Sequence, residues 1–249
     1  MISGIHEYIE SQKYDFKKFK IKYTKEEKES IEKFDITSSH HYNYYGGIKK
    51  FNSISSFLAK VSSNNKEIQG DINEIIMNII KNVLDEFNTE YFWISIRATM
   101  PNTDYDIPRW HKDGKYFIDS NNETPKFATV LKGPGTLFIK HSVKTDKIYK
   151  EINNQERKER QSIKSGKFED YIKNQNKYRP IYAKKLKKIK IIQIKNNEGV
   201  IFYPQISEHS IGALHSEPKM DQPRLFFSIL PGTKENINSL KERNNNFNK

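Results

Sequence analysis

Cysteine is absent from the 249 residues. That excludes a disulfide framework, thiolate metal sites and a cysteine nucleophile, so any metal must be held by histidines and carboxylates. Also missing is any run approaching the roughly 18 apolar residues that span a bilayer. The opening MISGIHEYIESQKYDF has no basic stretch followed by an apolar one, as a secretory leader would. The expectation is an intracellular, soluble protein, cytoplasmic or nuclear, with no membrane partner. No internal repeat is visible.

What is present is bulky and charged. Fifteen Phe, 14 Tyr and 2 Trp supply the surface for one sizeable core, although hydrophobic residues make up only 35% of the chain and charged ones 30%. The length suits one catalytic domain with decorations better than two large domains. Of the formal net charge of +12, a net of +11 falls between Lys140 and Lys190, where 17 Lys and Arg stand against 6 Asp and Glu. Such a stripe suits nucleic acid, an acidic protein or another anionic surface. Heavy use of Lys, Asn and Ile is also what an AT-rich genome imposes on surface positions.

Along the chain, residues 1–65 read as a mixed extension of short helices and loops outside the core. Ile72, Ile75, Ile76, Ile79, Ile80, Val83, Leu84 and Phe87 recur at steps of three and four, which predicts a helix from Asp71, with Glu74 completing a capping box. The period then changes. Strands are predicted at Tyr91 to Thr99, Phe127 to Leu131, Thr136 to Ile139, Ile189 to Ile194, Val200 to Tyr203 and Arg224 to Leu230. The basic segment, about 140–188, contains helix-favouring stretches but no continuous apolar face, and reads as an exposed helical insertion. Residues 236–249 read as a polar, frayed tail. The whole is mainly β with flanking helices, a core closed as a barrel or sandwich over about 66–235.

The chemistry sits in two places. In PRWHKDGKY, His111 and Asp113 stand two apart, so on an extended chain both side chains point to one face and can bind the same ion. In GALHSEPKMDQPRLFFSIL, His215 precedes Arg224 by nine residues. If the two flanking strands are antiparallel neighbours, the arginine folds back toward the metal. A buried arginine needs an anion, and its planar fork matches a carboxylate. Two His and one carboxylate leave three coordination positions open, as non-haem Fe(II) oxygenases require. His209, six residues before His215, is the rival for the distal position.

Taken together, His111-x-Asp113, distant His215 and Arg224 resemble the signature of the Fe(II)- and 2-oxoglutarate-dependent dioxygenases, over about Tyr91 to Leu230. The resemblance implies a double-stranded β-helix, or jelly roll, similar to cupins. It places the first pair of ligands on the second core strand and the distal one on the seventh. It implies Fe(II) held by His111, Asp113 and His215 as the catalytic centre, Arg224 binding 2-oxoglutarate, and O₂ as co-substrate, giving hydroxylation or demethylation with release of succinate and CO₂. Many members carry a Ser two residues after the arginine, where this chain has Phe226. Thr129 and Tyr203 are therefore candidate hydroxyl partners for the far carboxylate, and Arg97 or Arg109 a candidate to reach the near carboxylate or the substrate. Trp110 reads as packing, and Tyr116 and Phe117 as the pocket mouth or, equally, as plain core. A protein or peptide substrate ranks slightly ahead of nucleic acid reached through the basic segment. The alternatives are a basic nucleic-acid-binding module on a non-catalytic β-barrel, and a cupin-like metalloenzyme without the keto acid.

Overall fold

The computed structural model describes residues 5, 7, 15–117, 124–163, 168–207 and 210–247. The predicted helix forms as α3 (Lys66–Glu86), and its seven aliphatic residues from Ile72 to Leu84 are all buried. Each such side chain stabilises the fold by on the order of 1.5–3 kcal/mol. With α1 (Lys25–Lys33) and α2 (Ser55–Val61), α3 covers one face of the larger sheet, whose outward side chains Phe92, Ile94, Ile96, Phe127, Leu225, Phe227 and Ile229 meet it in the main core. The helix begins earlier than the sequence suggests. Asn65 caps it, accepting from the Ile68 amide at 3.0 Å, while Asp71 accepts a hydrogen bond from the Ser30 hydroxyl at 2.6 Å and so ties α3 to α1.

The larger sheet has six antiparallel strands in the order β1 (Phe16–Lys20), β7 (Glu198–Phe202), β4 (Lys126–Lys132), β9 (Arg224–Gly232), β3 (Tyr91–Thr99) and β2 (His40–Gly47). The smaller sheet runs β6 (Ile191–Gln193), β5 (Leu137–Ile139) and β8 (Leu214–Ser216). An isolated antiparallel bridge between His111 and His215 adds the segment around 111 beside β8. From β3 onward the chain visits large sheet, small sheet, large, small, small, large, small, large. The segment of His111 is thus second in that order and β8 seventh. This is a double-stranded β-helix.

Three parts of the chain differ from the expectation. Within 1–65, besides short helices and loops, two segments are strands, β1 and β2, and form the two edges of the large sheet. Residues 236–247 belong to helix α6 (Lys234–Phe247), whose Ile237 and Leu240 are buried against Phe117 and Leu230. The basic segment is a hairpin of two helices, α4 (Val143–Gln161) and α5 (Phe168–Leu186), inserted between β5 and β6. It does have an apolar face, built largely from tyrosines: Tyr149, Ile152, Tyr178, Tyr182 and Leu186 pack with Trp110, Ile139 and Leu214 in a second core. The ring area of tyrosine does the work that aliphatic periodicity does in α3.

Candidate metal centre

The ladder sets the site. His111 and His215 exchange two backbone hydrogen bonds, each 2.9 Å, which aligns them as a directly opposed pair with side chains on the same face. Their ring centroids lie 4.2 Å apart. Two residues along, Asp113 faces the same side, and its backbone carbonyl accepts from the Gln205 amide at 2.7 Å. Phe138 and Phe202 wall the His215 ring at 5.6 and 4.9 Å, closing the barrel interior behind it.

Hydrogen bonds fix which ring nitrogen is free. Nδ1 of His111 lies 2.8 Å from the Arg109 carbonyl and Nδ1 of His215 lies 3.0 Å from the Ala213 carbonyl. A carbonyl only accepts, so both Nδ1 atoms donate and both Nε2 atoms carry lone pairs. Each Nε2 stands 3.7 Å from Oδ1 of Asp113, too far for a hydrogen bond. The three ligand atoms lie within 4.8 Å of one another. Two lone pairs and a carboxylate oxygen turned on one point call for a cation between them, so the residues fit a divalent metal. Side-chain exposures of 24%, 18% and 9% for His111, Asp113 and His215 leave the point open on one side.

The second oxygen of Asp113 is occupied. Oδ2 accepts from the Tyr116 hydroxyl and lies 3.5 Å from Nζ of Lys126. Lys126 is itself framed by the rings of Trp93 at 5.2 Å and Tyr116 at 5.3 Å. Burial works to raise the Asp113 pKa, but Lys126, the two imidazoles and the Tyr116 hydroxyl outweigh it and hold the carboxyl well below its usual range. Burial, then the positive potential of His215 and Arg109, pushes His111 down to about 4, so its ring is neutral and available near neutral pH. Glu217 grips Arg109 through Oε1 and Oε2 at 2.5 and 3.3 Å; burial opposes its ionisation, yet His111 and Arg109 bring it down to about 2.

Arg224 reaches the interior by another route than the one expected. β8 pairs with β5 and not with β9, so His215 and Arg224 stand on opposite sheets and SEPKMDQP crosses between them. The guanidinium is 3% exposed as a residue and is held by the Pro134 carbonyl, accepting from Nε at 2.8 Å, and by Thr136 Oγ1, accepting from Nη2 at 3.0 Å. Burial lowers its pKa to about 10, and it makes no ion pair among the described residues. The turn that presents Pro134 depends on Gly133, at φ +88°, where a Cβ would collide with the Pro223 carbonyl and lie 2.8 Å from Arg224 Cα.

Other expected partners lie elsewhere. Thr129 gives its hydroxyl to the Glu198 carbonyl at 2.9 Å, and Tyr203 packs in the main core on the helix side of the sheet. Strand parity explains this, since Phe202 points inward and its neighbour therefore outward. Arg97 is exposed and Arg109 is committed to Glu217. Trp110 is packing, as expected, and Phe117 takes the core role, buried under α6. His209 lies outside the described residues. Tyr116, Lys126, Thr136 and Glu217 were not singled out for these roles. Of these only Lys126 left a signal, a charge on the inward face shared with Ala128 and Val130.

No protein-family model matches the sequence, and no curated protein matches it. Two solved structures follow a similar chain path. One is a Pseudomonas putida prolyl-4-hydroxylase, 8% identical with a TM-score of 0.39, covering 92% of this chain and 98% of that one. The other is DAO1, a dioxygenase for auxin oxidation from Arabidopsis thaliana, in binary complex with 2-oxoglutarate. It is 7% identical with a TM-score of 0.43, covering 92% of this chain and 88% of that one. No helix is long and apolar enough to cross a membrane among the described residues.

Proposed function

We propose that the protein is a non-haem Fe(II) oxygenase that uses 2-oxoglutarate and O₂ to hydroxylate or demethylate its substrate. One observation carries the reading: Nε2 of His111, Nε2 of His215 and Oδ1 of Asp113 converge on one point at the mouth of a β-helix whose interior also buries an arginine that has no carboxylate ion pair among the described residues. The three side chains would hold Fe(II) on one face and leave three positions vacant. A bound Fe(II) supplies activation of O₂ coupled to oxidative decarboxylation of the keto acid to succinate and CO₂.

The residues of this chain then have distinct tasks. The Arg109 and Ala213 carbonyls keep both imidazoles in the tautomer with Nε2 free. Tyr116 and Lys126 occupy Oδ2, so Asp113 would offer a bound metal its Oδ1 alone, which would leave room for a chelating ligand. Arg224, with the Thr136 hydroxyl beside it, would grip the far carboxylate of 2-oxoglutarate, and the fork keeps the keto acid in one orientation. Phe138 and Phe202 keep water from the inner side of His215.

Anaerobic addition of Fe(II) and 2-oxoglutarate should produce the visible charge-transfer band of the chelate, and admission of air should release succinate. Arg224→Ala should raise the 2-oxoglutarate concentration required by at least about 30-fold, since about 2 kcal/mol or more is lost when one partner of a buried charge pair is truncated. No band in the wild-type protein, with iron shown to be bound, would remove the keto acid from the proposal.

A further inference from the structure

The basic helical hairpin forms one wall of the space in front of the metal centre, a cavity of about 760 Å³ that has His111 and Asp113 at its floor. On α4, Lys150, Asn153, Asn154, Arg157 and Arg160 all line it. They recur at steps of three, four and seven, one helical face extending about 15 Å. Lys150 is paired with Asp146 at 3.0 Å, whereas Arg157 and Arg160 are exposed and have no ion pair among the described residues. The only acidic side chain that the hairpin contributes to the lining is half-buried Glu156.

We infer that this wall docks an acidic segment of polypeptide, presenting a residue flanked by Asp or Glu to the metal centre; the inference rests on the oxygenase reading above. The charge calls for an anionic occupant. The aromatic content of the lining decides which kind. Proteins that hold single-stranded nucleic acid offer exposed ring faces on which bases stack. Here Trp110, Tyr149 and Tyr182 are only 4%, 6% and 4% exposed, packed into the core of the hairpin and too buried for bases to stack on. In their place stand amides, Asn153, Asn154, Gln175 and Gln205, each able to pair with both the N–H and the carbonyl of an extended backbone. The arginine forks match carboxylates bidentately.

The wall is fastened to the metal ligands. Lys112, between His111 and Asp113, has a side chain 4% exposed that pairs with Asp146 at 2.9 Å and lies 5.0 Å from the centre of the Tyr149 ring. Arg179 on α5 donates from Nε to the Ile107 carbonyl at 2.9 Å and from Nη2 to the Asp104 carbonyl, upstream of the same ligands. A peptide held on α4 is therefore held at a fixed distance from the ion.

The test uses the full chain with Mn(II) replacing Fe(II), so that nothing turns over, and 2-oxoglutarate present. Fluorescence anisotropy follows a labelled peptide of alternating glutamate and serine, its lysine counterpart, and an oligothymidylate of equal charge. The glutamate peptide should bind at least tenfold more tightly than the oligothymidylate, with the lysine peptide not bound. Arg157→Glu with Arg160→Glu should weaken it at least tenfold, and the milder Arg157→Gln with Arg160→Gln should do so in part. Mn(II) and 2-oxoglutarate affinities should stay at wild-type values in both variants. Tighter binding of the oligothymidylate would make nucleic acid the occupant and overturn the inference, as would undiminished peptide binding by the folded variants. Failure of the oxygenase reading would show separately, as absence of Mn(II) or 2-oxoglutarate binding in the wild-type protein.

Discussion

The Tyr116 hydroxyl donates to Oδ2 of Asp113, the carboxylate oxygen turned away from the two imidazoles. If Asp113 binds the metal as proposed, a carboxylate held this way gives up less conformational freedom on binding, and outer partners of this kind are worth about 10–100-fold in metal affinity. Tyr116→Phe should therefore weaken Fe(II) or Mn(II) by that factor without unfolding the protein. Titration followed by electron paramagnetic resonance of Mn(II) measures it, and an unchanged affinity would show that Lys126 alone orients the carboxylate.

The acid limb of stability follows from His111 and Glu217. His111 falls from 6.5 to about 4 on folding, so between those values the unfolded chain takes up a proton that the native one refuses, and stability drops as the pH falls. Glu217 falls from 4.5 to about 2 and continues the loss at lower pH. For His111 the contribution is on the order of 3 kcal/mol, fully present above its unfolded pKa. Urea denaturation of the metal-free protein at successive pH values should show this slope. Bound metal competes with protons for the ring and should move the slope to lower pH.

Gly133→Ala should lower both stability and affinity for the keto acid. The left-handed backbone there and the collision with the Pro223 carbonyl cost more than about 1 kcal/mol, and relief requires moving the turn that holds Arg224. Calorimetry and 2-oxoglutarate titration of the same sample read both effects. A Tm at the wild-type value would show that the turn yields without strain.

Removal of α6 should reach the metal centre. Ile237 and Leu240 cover Phe117, and Arg243 donates to the Tyr116 carbonyl, so a chain ending at Thr233 loses the support of the residue that orients Asp113. Leu240→Ala, which empties one buried side chain, should cost about 2–5 kcal/mol. Metal titration of the truncated chain should show weakened binding; full affinity would sever the link.

How far the sequence spoke depended on how each element is buried. In α3 the isoleucines at steps of three and four could serve only a helix face. β3, β4 and β9, packed on both faces, show as dense apolar and aromatic runs. β1 and β2 were silent, because an edge strand needs only a few apolar contacts: FKKFK buries two phenylalanines, and HHYNYYGG buries no residue fully. In the candidate site, residue type and spacing single out His111, Asp113 and His215, and the structure groups these three side chains. The path of Arg224 was not legible, since the eight intervening residues fit a hairpin as well as a crossing between sheets. Thr136 lay beyond reach for the same reason: it meets Arg224 only through that crossing.

The α4–α5 hairpin leaves the smaller sheet after Ile139 and rejoins it at Ile191, and these two residues are direct partners in the β5–β6 ladder. Whatever chain lies between them, the ladder closes on itself. On the proposed function, the hairpin that would meet the substrate is set into the β-helix like a cassette, and exchanging it would leave the strands of the frame in place.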